Sequence, residues 1–242
     1  MSILISTLNH NLPELTDNLI NQIKNSLYKD FEIMVVDNGS TEKKAINTTH
    51  LLENNIFFGG GVNSILNYFL NETSHNWLYI LNNDLIFHGY NFLEISLSGA
   101  KNLDLYSPSM INASIEQCRW KQMLNWGTKN IRNNIRWIDF QCPLLSRRLC
   151  EKLNKYDDSL IYGWGLDFYT GIICKENNFN IGIDDQNTIC HLNSQTFKQN
   201  KIEIPIEQYC QLAEQGMYEF FQKINKMNEF IEMRKWAENY KI

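Results

Sequence analysis

The sequence of 242 residues has no pair of cysteines spaced two residues apart, no excess of basic charge and no long apolar run. Each absence excludes something. The six cysteines, at 118, 142, 150, 174, 190 and 210, lack the spacing of a zinc site or a compact disulfide framework. They read as free thiols in a reducing compartment. Lys and Arg number 22 against 27 Asp and Glu, a net charge of −5. A nucleic-acid partner held by bulk electrostatics is therefore not expected, although a local pocket for a phosphorylated small molecule stays open. No run approaches the roughly 18 apolar residues of a membrane span. The start, MSILISTLNH, lacks the basic residues and long apolar core of a signal peptide. A cytoplasmic chain is expected, with attachment to a membrane surface a lesser alternative. Neither GxGxxG nor GxxxxGK[ST] occurs, which weakens a dinucleotide or P-loop reading.

What is present is an ordinary globular composition, 43% hydrophobic and 20% charged. Strand and helix patterns alternate over the first 90 residues. Ser2–Thr7 and FEIMVV (31–36) read as buried strands, and Trp77–Leu81 as another. A helix starts near Pro13, with Leu15, Leu19, Ile20, Ile23 and Leu27 on one face. A short helix is expected after residue 41 and an extended piece near 49–53. Gly59-Gly60-Gly61 opens a helix to about Asn71. This alternation predicts an α/β fold with a largely parallel sheet, whose ligands bind at the carboxyl ends of the strands. Farther on, LYSPSMI, QCRWKQML and IRWIDFQ suggest a smaller, more antiparallel section. Helices are expected over 146–153 and 165–176, strands over 179–183 and 188–192. From Ile206 to Tyr240 the pattern is helical. The expected organisation is a domain over 1–200 with a helical extension, 201–242, packed on it.

Five polar stretches interrupt this pattern. VVDNGST (35–41) ends a strand with Asp37, followed by residues suited to a tight turn. NNIFFGGGVNSIL (54–66) offers backbone that a ligand can approach closely, or simply close helix packing. LNND (81–84) ends a buried strand; Asn82-Asn83-Asp84 is a turn, or Asp84 is an oxygen ligand for Mg²⁺ or Mn²⁺. YDDSLIYGWGLDFY (156–169) sets Trp164 between Gly163 and Gly165, with Asp167 following. That is a ring-binding floor beside a general base, or core packing beside a helix-start charge. His191, in TICHLNS, ends a strand and is a metal ligand or a structural histidine.

In this order and spacing, Thr7-Leu8-Asn9, Val35–Thr41, Asn55–Asn63, Asn82–Asp84, Gly163–Asp167 and His191 resemble the motifs of a family-2-type glycosyltransferase. The likeness covers about residues 2–195. It implies the GT-A fold: a Rossmann-like nucleotide-binding sheet, a smaller antiparallel section on the acceptor side, and here C-terminal helices. It implies a metal-dependent, inverting transfer of sugar from a nucleoside diphosphate, a UDP-sugar first, to a hydroxyl of a glycan or glycoconjugate. By the same resemblance Thr7 and Asp37 would meet the nucleotide base, and Asn9 would bind the nucleotide sugar. Asn55, Gly60 and Asn63 would border the nucleoside and diphosphate, and Asn82 and Asn83 the ribose or phosphate oxygens. Asp84 and His191 would hold Mn²⁺ or Mg²⁺. Asp167 would be the catalytic base, with Trp164 and Gly165 at the acceptor. The sequence departs from the family at NND, with one carboxylate where two are usual, and at GWGLDF, where a second carboxylate is missing. A nucleotidyltransferase or a donor-binding subunit without turnover are the alternatives. A homo-oligomer is left open.

Overall fold

A computed structural model of the chain describes residues 2–114, 118–192, 195, 199 and 203–241. Strand β1 (Ile3–Asn9) leads to α1 (Pro13–Lys24), β2 (Phe31–Asn38), β3 (His50–Leu52) and α2 (Phe57–Glu72). Then come β4 (Trp77–Leu81), β5 (Leu85–Phe87), α3 (Phe92–Ala100), β6 (Leu105–Met110), β7 (Ile131–Arg132) and β8 (Leu144–Ser146). Helices α4 (Arg147–Leu153) and α5 (Leu166–Glu176), strand β9 (Ile181–His191), and helices α6 (Ile206–Lys223) and α7 (Met227–Glu238) follow. The sheet runs β3-β2-β1-β4-β8-β6-β9-β5, with β7 beside β9. From β3 to β4 every pairing is parallel, while β8 lies antiparallel to both β4 and β6.

Alternation along the strands feeds two cores, one on each face of the sheet. On one side Leu4, Val36, Ile65, Phe69 and Leu78 pack with Trp137, Phe168, Phe221 and Phe230. On the other Ile3, Ile5, Val35 and Tyr79 pack with Leu19, Ile20 and Phe92. The C-terminal helices α6 and α7 thus share their core with the sheet. The boundary expected between residues 200 and 201 lies outside the described residues. Among the described residues no helix is long and apolar enough to cross a membrane.

Several expectations change. No helix follows Thr41; residues 39–49 are turns, tied to the β1–α1 loop by Ser40 and Thr41. Leu27 lies past the end of α1 and is 67% exposed. Residues 118–124 and 135–141 are not strands: their apolar side chains fill space against the helices, as Trp120 does edge-on to Trp137 and Phe168. The two strands expected over 179–192 are one continuous strand, β9. All six cysteines are free thiols, as expected, with 142, 150 and 174 buried.

The three glycines sit inside α2, and two of them serve packing. A Cβ on Gly59 would collide with the carbonyl oxygens of Leu160 and Ile161, and the Gly59 amide donates to Ile161 O at 2.7 Å. A Cβ on Gly61 would press on the Leu8 side chain, whereas one on Gly60 would meet only Ile56 side-chain atoms at 3.0–3.2 Å. Gly59→Ala should therefore cost about 1–3 kcal/mol, the range for overpacking against backbone that cannot retreat. Gly60→Ala should cost clearly less. Urea unfolding of the two variants checks this; equal costs would contradict the packing.

Candidate active site

The parallel strands end along one edge, and the loops leaving them build a cleft of about 470 Å³. That volume suits a small-molecule ligand. Following the sheet order, β2 contributes Asn38, the end of β1 Leu8 and His10, and the end of β4 Asn82, Asn83 and Asp84. The segment ahead of β8 contributes Asp139, Phe140 and Gln141. Gly163, Trp164 and Asp167 approach from the start of α5.

A buried polar chain underlies this floor. Asn9 Nδ2 donates to Asp37 Oδ2 at 2.8 Å, and the Ser40 amide donates to Asp37 Oδ1 at 2.9 Å. Thr16 Oγ1 donates to Asn9 Oδ1 at 2.9 Å, and Asn83 Nδ2 donates to Thr16 Oγ1 at 3.0 Å. Asp37 and Asn9 have no exposed surface. Neither residue lines the cleft; both lie beneath it. Thr7 is also buried, its hydroxyl without a partner, and does not line the cleft.

The neighbour, Asn38, does line the cleft. Its Oδ1 accepts the Ile56 amide at 3.0 Å, and its Nδ2 donates to Phe57 O and Asn55 Oδ1. Asn55 Oδ1 also accepts the Phe57 amide at 2.8 Å. Together the two amides hold Phe57 at φ 55°, a left-handed conformation costly for a bulky residue. Strain held by three hydrogen bonds presents the ring to the cleft. There it joins Tyr162 and Tyr209, at ring-centre distances of 4.5 and 6.1 Å. Tyr209, on α6, donates to Tyr162 O at 2.6 Å, so α6 forms part of the wall. Asn63, by contrast, is pinned away from the cleft: it bonds the Tyr156 backbone N–H and C=O at 2.8 and 3.0 Å. Gly60 and Gly165 do not line it either.

Asp84 and His191 do meet. β5 and β9 pair antiparallel with Leu85 opposite His191, which sets Asp84 Oδ1 3.0 Å from His191 Nε2. Both are more than 90% buried at the cleft. Among the described residues no group of three or more His, Cys, Asp or Glu side chains is placed to hold a metal ion. Two ligands with buried, unpartnered His191 Nδ1 and Asn82 Oδ1 nearby fit a divalent cation that draws its other ligands from substrate oxygens and water.

Gly163 and Gly165 have φ of 94° and 95°, values that glycine alone adopts without cost. The double turn leaves Trp164 39% exposed between them and starts α5 so that Asp167 faces inward. Asp167 is held well above the ordinary carboxylate range, first by burial and then by the charge of Asp139. Asp139 is itself pushed up by its dry surroundings, partly offset by His191. Asp139 and Gln141 were missed in the sequence, inside a segment read as a strand. The available signal was a lone carboxylate within the apolar run WIDF.

An α/β sheet with a polar cleft at its carboxyl edge, lined by the Asp84–His191 pair and by Asp167, is an architecture found among GT-A glycosyltransferases. The chain belongs to this class of enzyme: its residues 2–149 match the model of glycosyl transferase family 2, and it is a member of that family. No curated protein matches it. The fold is similar to S. aureus TarS 1-349 in complex with UDP-GlcNAc, at 12% identity and a TM-score of 0.64, covering 98% of this chain and 73% of that one. It is also similar to the mannosyltransferase PcManGT from Pyrobaculum calidifontis in complex with GDP-Man and Mn²⁺. There the identity is 11% and the TM-score 0.59, covering 99% and 76%. Trp164, Asp167 and His191 lie beyond the matched family residues but within the shared fold. Family membership sets aside the nucleotidyltransferase alternative.

The Asp167 shift has a signed consequence for stability. The folded chain keeps a proton that the unfolded chain releases, so this group's contribution falls as pH rises from the unfolded towards the folded pKa. Asp167→Asn removes that penalty. The variant should melt above the wild type at pH 8, by about 2–4 °C per kcal/mol recovered. The gain should shrink as pH falls and vanish only below the unfolded pKa of about 3.9, where the carboxyl is protonated in both states. A lower melting temperature at pH 8 would contradict the assigned burial.

Proposed function

We propose that this enzyme transfers a sugar from a nucleoside diphosphate, with a UDP-sugar the first choice, to a hydroxyl of a glycan or glycoconjugate, with inversion. The observation that carries the reading is convergence. Asn82, Asn83, the Asp84–His191 pair and Asp167 come from distant stretches and line one cleft. The ligands of the two similar structures, UDP-GlcNAc in one and GDP-Man with Mn²⁺ in the other, support a nucleotide-sugar donor and a divalent cation for this chain.

The base end lies over β1 and β2. Phe57 offers a ring face there, and Asn55 Nδ2, with only a 3.4 Å contact to His10, is a donor for a base carbonyl. Asn38 shapes this end by holding Asn55 and Phe57. Asp37, Asn9 and Thr7 act from beneath rather than by contact. Asn82 and Asn83 lie beside the ribose and diphosphate. Asp84 and His191 would hold Mn²⁺ or Mg²⁺, which when bound neutralises charge on the diphosphate. Asp167 accepts the proton of the attacking hydroxyl. As that oxygen bonds to the anomeric carbon, the bond from this carbon to the diphosphate oxygen breaks on the opposite face, and the nucleoside diphosphate leaves. A carboxyl raised by burial and a like charge is better matched to this proton transfer near neutral pH than an ordinary one. Trp164 covers the acceptor side.

The reading is tested by release of nucleotide from UDP-GlcNAc, UDP-glucose and GDP-mannose, with and without Mn²⁺. Asp84→Ala should abolish the Mn²⁺-dependent part. Asp167→Asn should spare donor binding and slow turnover about 10²–10⁴-fold, the usual worth of a positioned base. Near-full turnover in Asp167→Asn would refute the base assignment.

A further inference from the structure

The segment GWGLDF supplies one carboxylate to the acceptor side, yet the cleft contains a second from elsewhere in the chain. Asp139 lines the same cleft as Asp167, and its charge is the leading external charge acting on Asp167. The backbone fixes its place: the Asn82 amide donates to Gln141 O at 2.9 Å, tying this segment to the NND turn. Gln141 Nε2 donates to Asp139 Oδ2 at 2.6 Å and orients the carboxylate. Asp139, part-buried, and Asp167 therefore present two carboxyls to one part of the cleft. An apolar group or a single alcohol would leave one of these carboxyls unpaired, at a cost. A molecule carrying several hydroxyls would pair them.

We propose that Asp139, oriented by Gln141, binds a second hydroxyl of the acceptor, adjacent to the one attacked, so that the enzyme selects acceptors presenting a vicinal diol. The attacked hydroxyl faces Asp167 and its neighbour faces Asp139. Half-exposed Trp164 meets the ring that carries both. A sugar or cyclic polyol fits this pattern, and an isolated aliphatic or side-chain alcohol does not. The inference rests on the glycosyltransfer reading and names the acceptor chemistry of that same site.

The test uses two ring alcohols of nearly equal size, cyclohexane-1,2-diol and cyclohexanol, with whichever of the three donors above the wild type turns over. The glycoside formed from each is quantified by mass spectrometry over a range of acceptor concentrations. Wild type should favour the diol about tenfold or more in kcat/KM, the worth of one hydrogen bond to a charged group. In Asp139→Asn the ratio of diol to mono-ol should fall towards one, chiefly through KM for the diol. Gln141→Met, which removes only the orienting bond, should give a smaller fall. Because each variant is read as its own ratio, a change in overall activity does not obscure the result. If Asp139→Asn does not fold, the wild-type ratio and Gln141→Met still decide. A wild-type ratio near one, or a ratio unchanged in Asp139→Asn, overturns the inference while leaving glycosyltransfer intact. Donor turnover by no nucleotide sugar at all would instead sink the glycosyltransfer reading, and this inference with it.

Discussion

The site depends on one buried carboxylate that does not touch the cleft. Asp37 takes an amide from Asn9 and another from the backbone of Ser40, both below 3 Å. Through Thr16 the chain of hydrogen bonds reaches Asn83. The turn after β2 and the turn after β4 are thereby fixed relative to each other across β1. A fully buried polar group is tolerable only with such partners, and removing one leaves the others desolvated and unpaired. The cost of burying Asp37 is thus tied to the geometry of the polar loops above it.

Around that anchor the cleft is built in two halves of different chemistry. The half over β1 and β2 is lined mainly by amides and rings, Asn38, Asn55, Phe57, Tyr162 and Tyr209, with the His10–Glu203 pair among them. The half between β4 and β8 is ionisable: Asp84, His191, Asp139 and Asp167. Two carboxyls, Asp139 and Asp167, are raised by dry surroundings, and the charge of Asp139 raises Asp167 further. Stability at neutral pH is given up to keep them there, a common feature of reactive sites. Phe57, held in a left-handed backbone conformation, shows the same trade in the other half.

Much of this was legible in the sequence, for physical reasons. FEIMVV and WLYIL are apolar runs bounded by turn residues, and both became strands. The Asn82–Asp84 break marks a strand end, and the meeting of Asp84 with His191 is what the family resemblance implies. What the sequence could not decide was which of Asp37 and Asn38 faces the cleft. Adjacent residues on a strand point to opposite faces, and either is polar enough for either role. The glycine run had two readings, ligand approach and close packing, and Gly59 and Gly61 realise the second. Apolar spacing in QCRWKQML and IRWIDFQ could not be told from a strand, because irregular segments packed under helices bury the same side chains. Asp139 was hidden by that reading.

The most direct measurement is calorimetric titration of the protein with UDP, GDP, CDP and dTDP, each with and without Mn²⁺. A donor cleft with a cation held by Asp84 and His191 predicts that one nucleotide binds, at least tenfold more tightly with Mn²⁺ present. No binding of any of the four, with or without the cation, would contradict the account at its centre.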